Sequence, residues 1–174
     1  ADDRAAIRIE TARLVLTELS DRDAPFVVRL LNEPSFLKYI GDRGVRNEDD
    51  ARKYIQDGPV ASYRKNGFGL LRMGLKGDDT PIGMCGVLKR DALQEPDLGF
   101  SLLRAYWAQG YAHEAANAVM RHARETLHLG RVLAIVSPGN EASLRLLAKL
   151  GFRGDAMIRL GNETNEVRLL VSEP

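Results

Sequence analysis

The stretch AYWAQGYAHEAA, Ala105 to Ala116, sets a single glycine between bulky aromatic neighbours and then runs into small residues. Downstream, Ala112, Ala115, Ala116, Val119, Ala123 and Leu127 recur on one face of a helix, with Asn117, Arg121, Arg124 and Glu125 elsewhere. Upstream, PDLGFSLL, Pro96 to Leu103, has strand character. Gly110 therefore stands in a strand-to-helix connection. There it either makes a tight turn or lets backbone approach a ligand closely.

Working outward, FGLLRMGL (68–75), PIGMCGVLKRD (81–91) and PDLGFSLL are alternating segments joined by short polar loops, a three-stranded antiparallel meander. Before them, Ile7 to Leu19 is strand-like, and Ser20 with Asp23 forms the capping pattern of a helix over Asp21 to Asn32. Asn47 caps a second helical stretch that Gly58-Pro59 interrupts or kinks and Gly67 closes. After the Ala112 helix, RVLAIV (131–136) is a buried strand stopped by Pro138. Asn140 opens a helix that Gly151 ends, and strands around Ala156 to Leu160 and Val167 to Val171 complete the chain. The expected order is β-α-α-β-β-β-α-β-α-β-β, one mixed α/β domain over residues 1–174.

Composition limits the function. With 25 Lys and Arg against 24 Asp and Glu, the net charge is +1 and no basic stripe forms, which favours neither a nucleic-acid nor a membrane partner. Cys85 is the only cysteine, so neither an intrachain disulfide nor a cysteine metal cage is expected. Inside an apolar strand it reads as core packing. His113, His122 and His128 are scattered on helical surfaces without metal spacing. The N-terminal segment lacks a signal-peptide core, and no apolar run approaches membrane-spanning length, so a cytoplasmic location is expected.

Two constellations carry the chemistry. A helix that begins near Ala112 directs the free N–H groups of its first turn at a common point, which attracts anions. Gly110 and Ala112 keep the loop free of bulk, so a pyrophosphate fits against the amides of Gln109, Gly110, Tyr111, Ala112 and His113. A tight turn with no ligand accounts for the same residues equally well. The loop is neither a Walker motif nor G-x-G-x-x-G. In SPGNEASLRLLAKLGF (137–152), Asn140 and Ser143 fall together at a helix start, where capping is the ordinary role of the asparagine.

Taken together, TARLVLTEL, PIGMCGVLKRD, PDLGFSLL, YWAQGYAHEAA and VSPGNEASLRLLAKLGF, in this order over nearly the whole chain, resemble the GNAT acyltransferase superfamily and its RimJ/RimL-like branch. The resemblance implies a mostly antiparallel twisted sheet that splays between two strands and is flanked by helices. It also implies acetyl-CoA as co-substrate, with no metal. The family's loop, Arg/Gln-x-x-Gly-x-Gly/Ala, is matched at Gly110 and Ala112, while Trp107 stands at the Arg/Gln position.

By the same resemblance, pantetheine would lie in the splayed slot against backbone groups of Leu102 and Leu103, with Asn140 opposite. Leu147 occupies the position where many relatives carry an acidic tyrosine, which leaves the Ser143 hydroxyl as the group for the leaving sulfur. Asp97, where relatives often have glutamate, is either the base for an incoming ammonium or a solvated turn residue after Pro96. The expected activity is N-acetylation of a primary amine: a protein or peptide N-terminus, a polyamine or a small-molecule amine, by a monomer or homodimer. A non-catalytic acyl-CoA sensor, or transfer of another acyl group or to another acceptor, is the alternative.

Overall fold

The computed structural model describes residues 4–174. Among them the chain begins with a hairpin, β1 (Arg8–Glu10) and β2 (Leu14–Glu18), instead of the single strand expected over Ile7 to Leu19. Thr11 explains the reversal. Its N–H donates to the Leu14 carbonyl at 2.9 Å and its Oγ1 accepts from the Leu14 N–H at 3.0 Å, folding the chain back so that Arg8 lies opposite Thr17.

The capping box at Ser20 and Asp23 forms, but it opens a short 3-10 turn, Asp21–Asp23, before helix α1 (Ala24–Leu31). A further short helix that periodicity did not reveal, α2 (Pro34–Tyr39), starts at Pro34, which supplies a preset φ and needs no partner for its missing N–H. The Asn47 side chain caps α3 (Glu48–Ile55) by accepting from Asp50 N–H at 2.8 Å. The expected interruption at Gly58-Pro59 is a wide π turn, Gln56–Val60, which accommodates the proline before α4 (Ala61–Asn66). Gly67 ends α4 at φ 77°, a left-handed conformation.

The meander follows as β3 (Leu71–Leu75), β4 (Pro81–Leu88) and β5 (Asp97–Leu102), all antiparallel. Then come α5 (Tyr111–Glu125), β6 (Val132–Val136), α6 (Glu141–Lys149), β7 (Arg153–Arg159) and β8 (Glu166–Ser172). His128 lies beyond the end of α5 at φ 54°, in the connection to β6 and not on a helical surface. The eight strands make one open, mostly antiparallel sheet in the order β1-β2-β3-β4-β5-β6-β8-β7, with β5 and β6 parallel.

Both faces of the central strands are covered. Leu14, Leu16, Cys85 and Val87 pack with Ala115, Ala116, Val119 and Ala123 of α5 and Leu147 of α6. Met84 and Leu103 pack with Val27 and Leu30 of α1 and Ile55 of α3. Strand β4 gives Ile82, Cys85 and Val87 to the first cluster and Met84 to the second, and this burial on both sides is why its sequence is apolar nearly throughout instead of every second residue. The alanines on α5 let the helix axis approach the sheet, and α5 is the next α-helix after β5, joined to it by residues 103–110.

Candidate active site

The sheet has a single break in its pairing. Strands β5 and β6 meet at one register position, Asp97 opposite Leu133, supported by Leu133 N–H donating to the Pro96 carbonyl at 2.9 Å. Beyond it, Leu98 to Leu102 and Ala134 to Val136 run on without partners in each other. On the far side, β5 pairs continuously with β4, and Leu103 N–H donates to the Ile82 carbonyl at 2.8 Å. Alternation along a strand then fixes which groups are free. Ser101 and Leu103 point their backbone groups at β4, and Phe100 and Leu102 point theirs into the gap.

Leu102 thus faces the gap. Leu103 does not: its N–H is engaged with Ile82, its carbonyl accepts from Tyr106 N–H at 2.9 Å, and its side chain is buried beside Met84. The gap belongs to a groove of ≈ 2240 Å³, lined along its length by Asp97, Leu102, Gly110, Asn140 and Ser143. That volume exceeds the roughly 300–1,000 Å³ of an ordinary small-ligand pocket and accommodates a long ligand together with a second substrate.

Where β5 ends, the chain makes one 3-10 turn, Arg104–Tyr106, and enters the loop that carries Gly110. Trp107 has a structural task in it: its indole Nε1 donates to the Leu102 carbonyl at 3.0 Å, and the Arg104 guanidinium lies 4.2 Å from the ring centroid. Gly110 is the N-cap of α5 at φ 84°. Without a side chain it places no capping group over the helix end. Glu114 is the first residue whose N–H finds an intrahelical acceptor, the Gly110 carbonyl at 3.0 Å. The amides of Tyr111, Ala112 and His113 are therefore free for an anion at the positive end of the helix dipole. A Cβ at Gly110 would come 3.3 Å from Arg13 Nη2, away from the groove side of the loop. The left-handed backbone by itself accounts for glycine at this position.

Across the gap, Pro138 stops β6 and Asn140 caps α6, its Oδ1 accepting from Ser143 N–H at 3.3 Å. The cap uses the Ser143 backbone and leaves its hydroxyl uncommitted to it. Leu147, one turn further, is buried in the core. Ser137 Oγ donates to the Tyr39 carbonyl at 2.5 Å and ties the end of β6 to α2; Leu37 of that helix and Ile40 just after it are exposed on the rim of the groove.

Asp97 stands at the foot of the gap and is 0% exposed, so it is not a solvated turn residue. Burial raises its pKa. The charge of Arg90 and its hydrogen bonds, Nε to Oδ1 at 3.0 Å and to Oδ2 at 3.2 Å, act in the opposite direction, and Lys89 adds to them. Tyr54 on α3 also lines this end, its phenol pKa raised by burial and opposed by Arg43 and Arg90. Burial likewise pushes the Cys85 thiol up, in keeping with core packing. Arg13 and Tyr54 had no signal in the sequence, since no local spacing connects them to the loop or to Asp97, whereas Arg90 lies seven residues before Asp97 across the β4–β5 turn.

A model of the acetyltransferase (GNAT) domain matches residues 13–153. The uncharacterized N-acetyltransferase YoaA of Bacillus subtilis is 28% identical over 155 residues, covering 87% of this chain and 85% of YoaA. The ribosomal protein uS5-alanine N-acetyltransferase of Escherichia coli is 30% identical over 154 residues, 84% of this chain and 78% of that enzyme. Among solved structures, an acetyltransferase from Agrobacterium tumefaciens superposes with a TM-score of 0.81 at 24% identity, covering 98% and 96% of the two chains. RimL, a ribosomal L7/L12 alpha-N-protein acetyltransferase, superposes at 0.80 with 13% identity, covering 100% and 98%. No helix among the described residues is long and apolar enough to cross a membrane. The domain match begins at the β1–β2 turn and runs past α6, so it takes in both walls of the gap and the loop between them. The chain belongs to the GNAT acetyltransferase family, in its RimJ/RimL-like branch, and is an acyltransferase.

Proposed function

We propose that this chain, acting as one unit over residues 1–174, transfers the acetyl group of acetyl-CoA directly to a primary amine. The acceptor is a protein or peptide N-terminus, a polyamine or a small-molecule amine. The observation that carries the reading is the break in the sheet: the backbone groups of Phe100 and the N–H of Leu102 face a gap whose foot holds the buried carboxylate of Asp97.

Bound acetyl-CoA supplies the thioester that is the acyl donor. The amides of Gly110 to His113 hold the pyrophosphate against α5, with Gln109 preceding them in the loop. Phe100 and Leu102 pair with the pantetheine amides as an added strand would, with Asn140 on the opposite wall; Leu103 has no part in this. An N–H of the same strand edge donates to the thioester carbonyl oxygen and stabilises the negative charge that grows on it as the amine attacks. Asp97 accepts a proton from the incoming ammonium, directly or through water, and its burial makes it a better base than an exposed aspartate. The Ser143 hydroxyl, in the first turn of α6, donates to the departing sulfur, whose charge the helix N-terminus also favours.

The test is kcat/KM against pH for wild type and Asp97→Asn, with acetyl-CoA and the best amine from a panel of N-terminal peptides, polyamines and small amines. The variant should be slow near neutral pH and recover much of the rate at alkaline pH, where free amine is abundant. Parallel profiles would remove Asp97 from the site. An absence of thioester consumption with any amine would overturn amine acetylation itself.

A further inference from the structure

Glu114 poses an electrostatic problem. It is in the first turn of α5, at the helix end whose free amides suit an anion, and a carboxylate there opposes a pyrophosphate. The structure turns it away. Glu114 does not line the groove, and it faces the β1–β2 turn on the other side of the loop. Its Oε2 accepts from Thr11 Oγ1 at 2.5 Å and from Arg13 N–H at 2.8 Å, and its Oε1 accepts from Arg13 Nε at 2.7 Å. The turn that supplies these donors is itself anchored to the sheet, because Lys76 N–H donates to the Arg13 carbonyl at 2.9 Å.

Arg13 also reaches the loop directly. Its Nη1 donates to the Gln109 carbonyl at 3.0 Å, and its guanidinium lies 4.2 Å from the Tyr111 ring centroid. Tyr106 meets the same ring edge-on, with centroids 6.3 Å apart. The Gln109 carbonyl and the Gly110 N–H belong to one trans peptide and so point in opposite directions. Holding the carbonyl toward Arg13 aims the N–H away from it, across the mouth of α5. The loop needs such a hold. Ala108 at φ 59° and Gly110 at φ 84° are both left-handed, and a residue with a Cβ keeps that conformation only where its surroundings impose it.

We propose that Thr11, Arg13 and Glu114 are positioning residues that orient the Gln109–Gly110 peptide and thereby set the affinity of the chain for the pyrophosphate of acetyl-CoA. The inference rests on the reading of the α5 N-terminus as the pyrophosphate site. It assigns to the β1–β2 hairpin, about a hundred residues away in sequence, control over a loop that local sequence alone leaves free.

Glu114→Gln separates this brace from simple electrostatics. Removing a negative charge beside a pyrophosphate should tighten CoA binding if charge alone matters. Loosening the brace should weaken it, by about tenfold for the loss of one charge-assisted contact network. Calorimetric Kd for CoA is measured for wild type, Glu114→Gln, Thr11→Val and Arg13→Lys, together with thermal melting. Steady-state kinetics use acetyl-CoA and acetylpantetheine, which has no pyrophosphate. The brace predicts weaker CoA binding in all three variants and a raised KM for acetyl-CoA with kcat within about twofold at saturation. It also predicts wild-type kcat/KM with acetylpantetheine. Thr11→Val and Arg13→Lys, neither of which changes net charge, carry the comparison if Glu114→Gln does not fold. CoA binding by Glu114→Gln that equals or exceeds wild type, or an equal loss with acetylpantetheine, overturns the inference while leaving the functional reading intact. A wild-type chain that does not bind CoA overturns both.

Discussion

Replacing Gly110 by alanine tests the loop at its most constrained backbone position. At φ 84° a residue with a Cβ carries a cost of about 1–2 kcal/mol relative to glycine. The added methyl would meet only Arg13 Nη2, at 3.3 Å, the movable end of a long side chain, so a steric contribution is small beside the conformational one. Where that cost is observed depends on the free loop. If the loop keeps its shape, stability falls. If it relaxes, the cost is met on binding. When the bound loop must be left-handed, the two losses together equal about 1–2 kcal/mol whichever way they divide. Expressed wholly in stability, this is a fall in Tm of about 2–8 °C for a chain of this size. Expressed wholly in affinity, it is a Kd for CoA raised about five- to thirtyfold. Melting and calorimetry on Gly110→Ala give the sum, and Gly110→Asn, which tolerates the left-handed region, should recover much of it. A sum near zero would refute the conformational requirement. Loss of binding beyond about a hundredfold with an unchanged Tm would show that the glycine provides clearance for the ligand instead.

Three further outcomes follow from the site. Arg90→Met removes the main influence that opposes the burial of Asp97, so the carboxyl should hold its proton to higher pH and the acidic limb of kcat/KM should move upward; an unmoved limb assigns that limb to another group. Ser143→Ala keeps the Asn140 cap, which uses the Ser143 backbone, so kcat should fall about tenfold or more with little change in the Kd for CoA, and equal losses in both would make the serine a binding residue. Burial works against the charge on Glu114, but the hydrogen bonds from Thr11 and Arg13 outweigh it and hold its pKa below the ordinary carboxylate value. Its contribution to stability is therefore present above the unfolded-state pKa and lost as pH falls through the folded one. The stability difference between wild type and Glu114→Gln should shrink as pH falls below the ordinary glutamate range in urea unfolding, and a constant difference would refute the linkage.

Much of the fold is legible in local sequence because its determinants lie within a few residues of one another. The Ser20–Asp23 capping box, the Asn47 and Asn140 caps, Gly67 and Gly151 after their helices, and the alanine face of α5 each act through bonds or contacts spanning about one helical turn. The three-strand meander follows from alternation and short polar turns. The loop around Gly110 drew notice as either a tight turn or a place for close approach to a ligand, and the structure adds a left-handed backbone and a helix end left uncapped.

What only the tertiary structure decided depends on groups that no spacing connects. Strands β5 and β6 part after the Asp97–Leu133 bridge while each stays paired along its other edge, with β4 on one side and β8 on the other, and that opens the groove. The parity of the β4–β5 register selects Leu102 and excludes Leu103, since one residue along a strand reverses the direction of its backbone groups. Asp97 becomes a buried carboxylate paired with Arg90 only when the β4–β5 turn brings the two together above the covered sheet. Thr11 and Arg13 meet Glu114 across the edge of the sheet from about a hundred residues away in the chain, so their coupling is a property of how β1, β2 and α5 pack. Local sequence determines which elements form and where they end; long-range packing determines which backbone groups remain unpaired, and those are the groups available to a substrate.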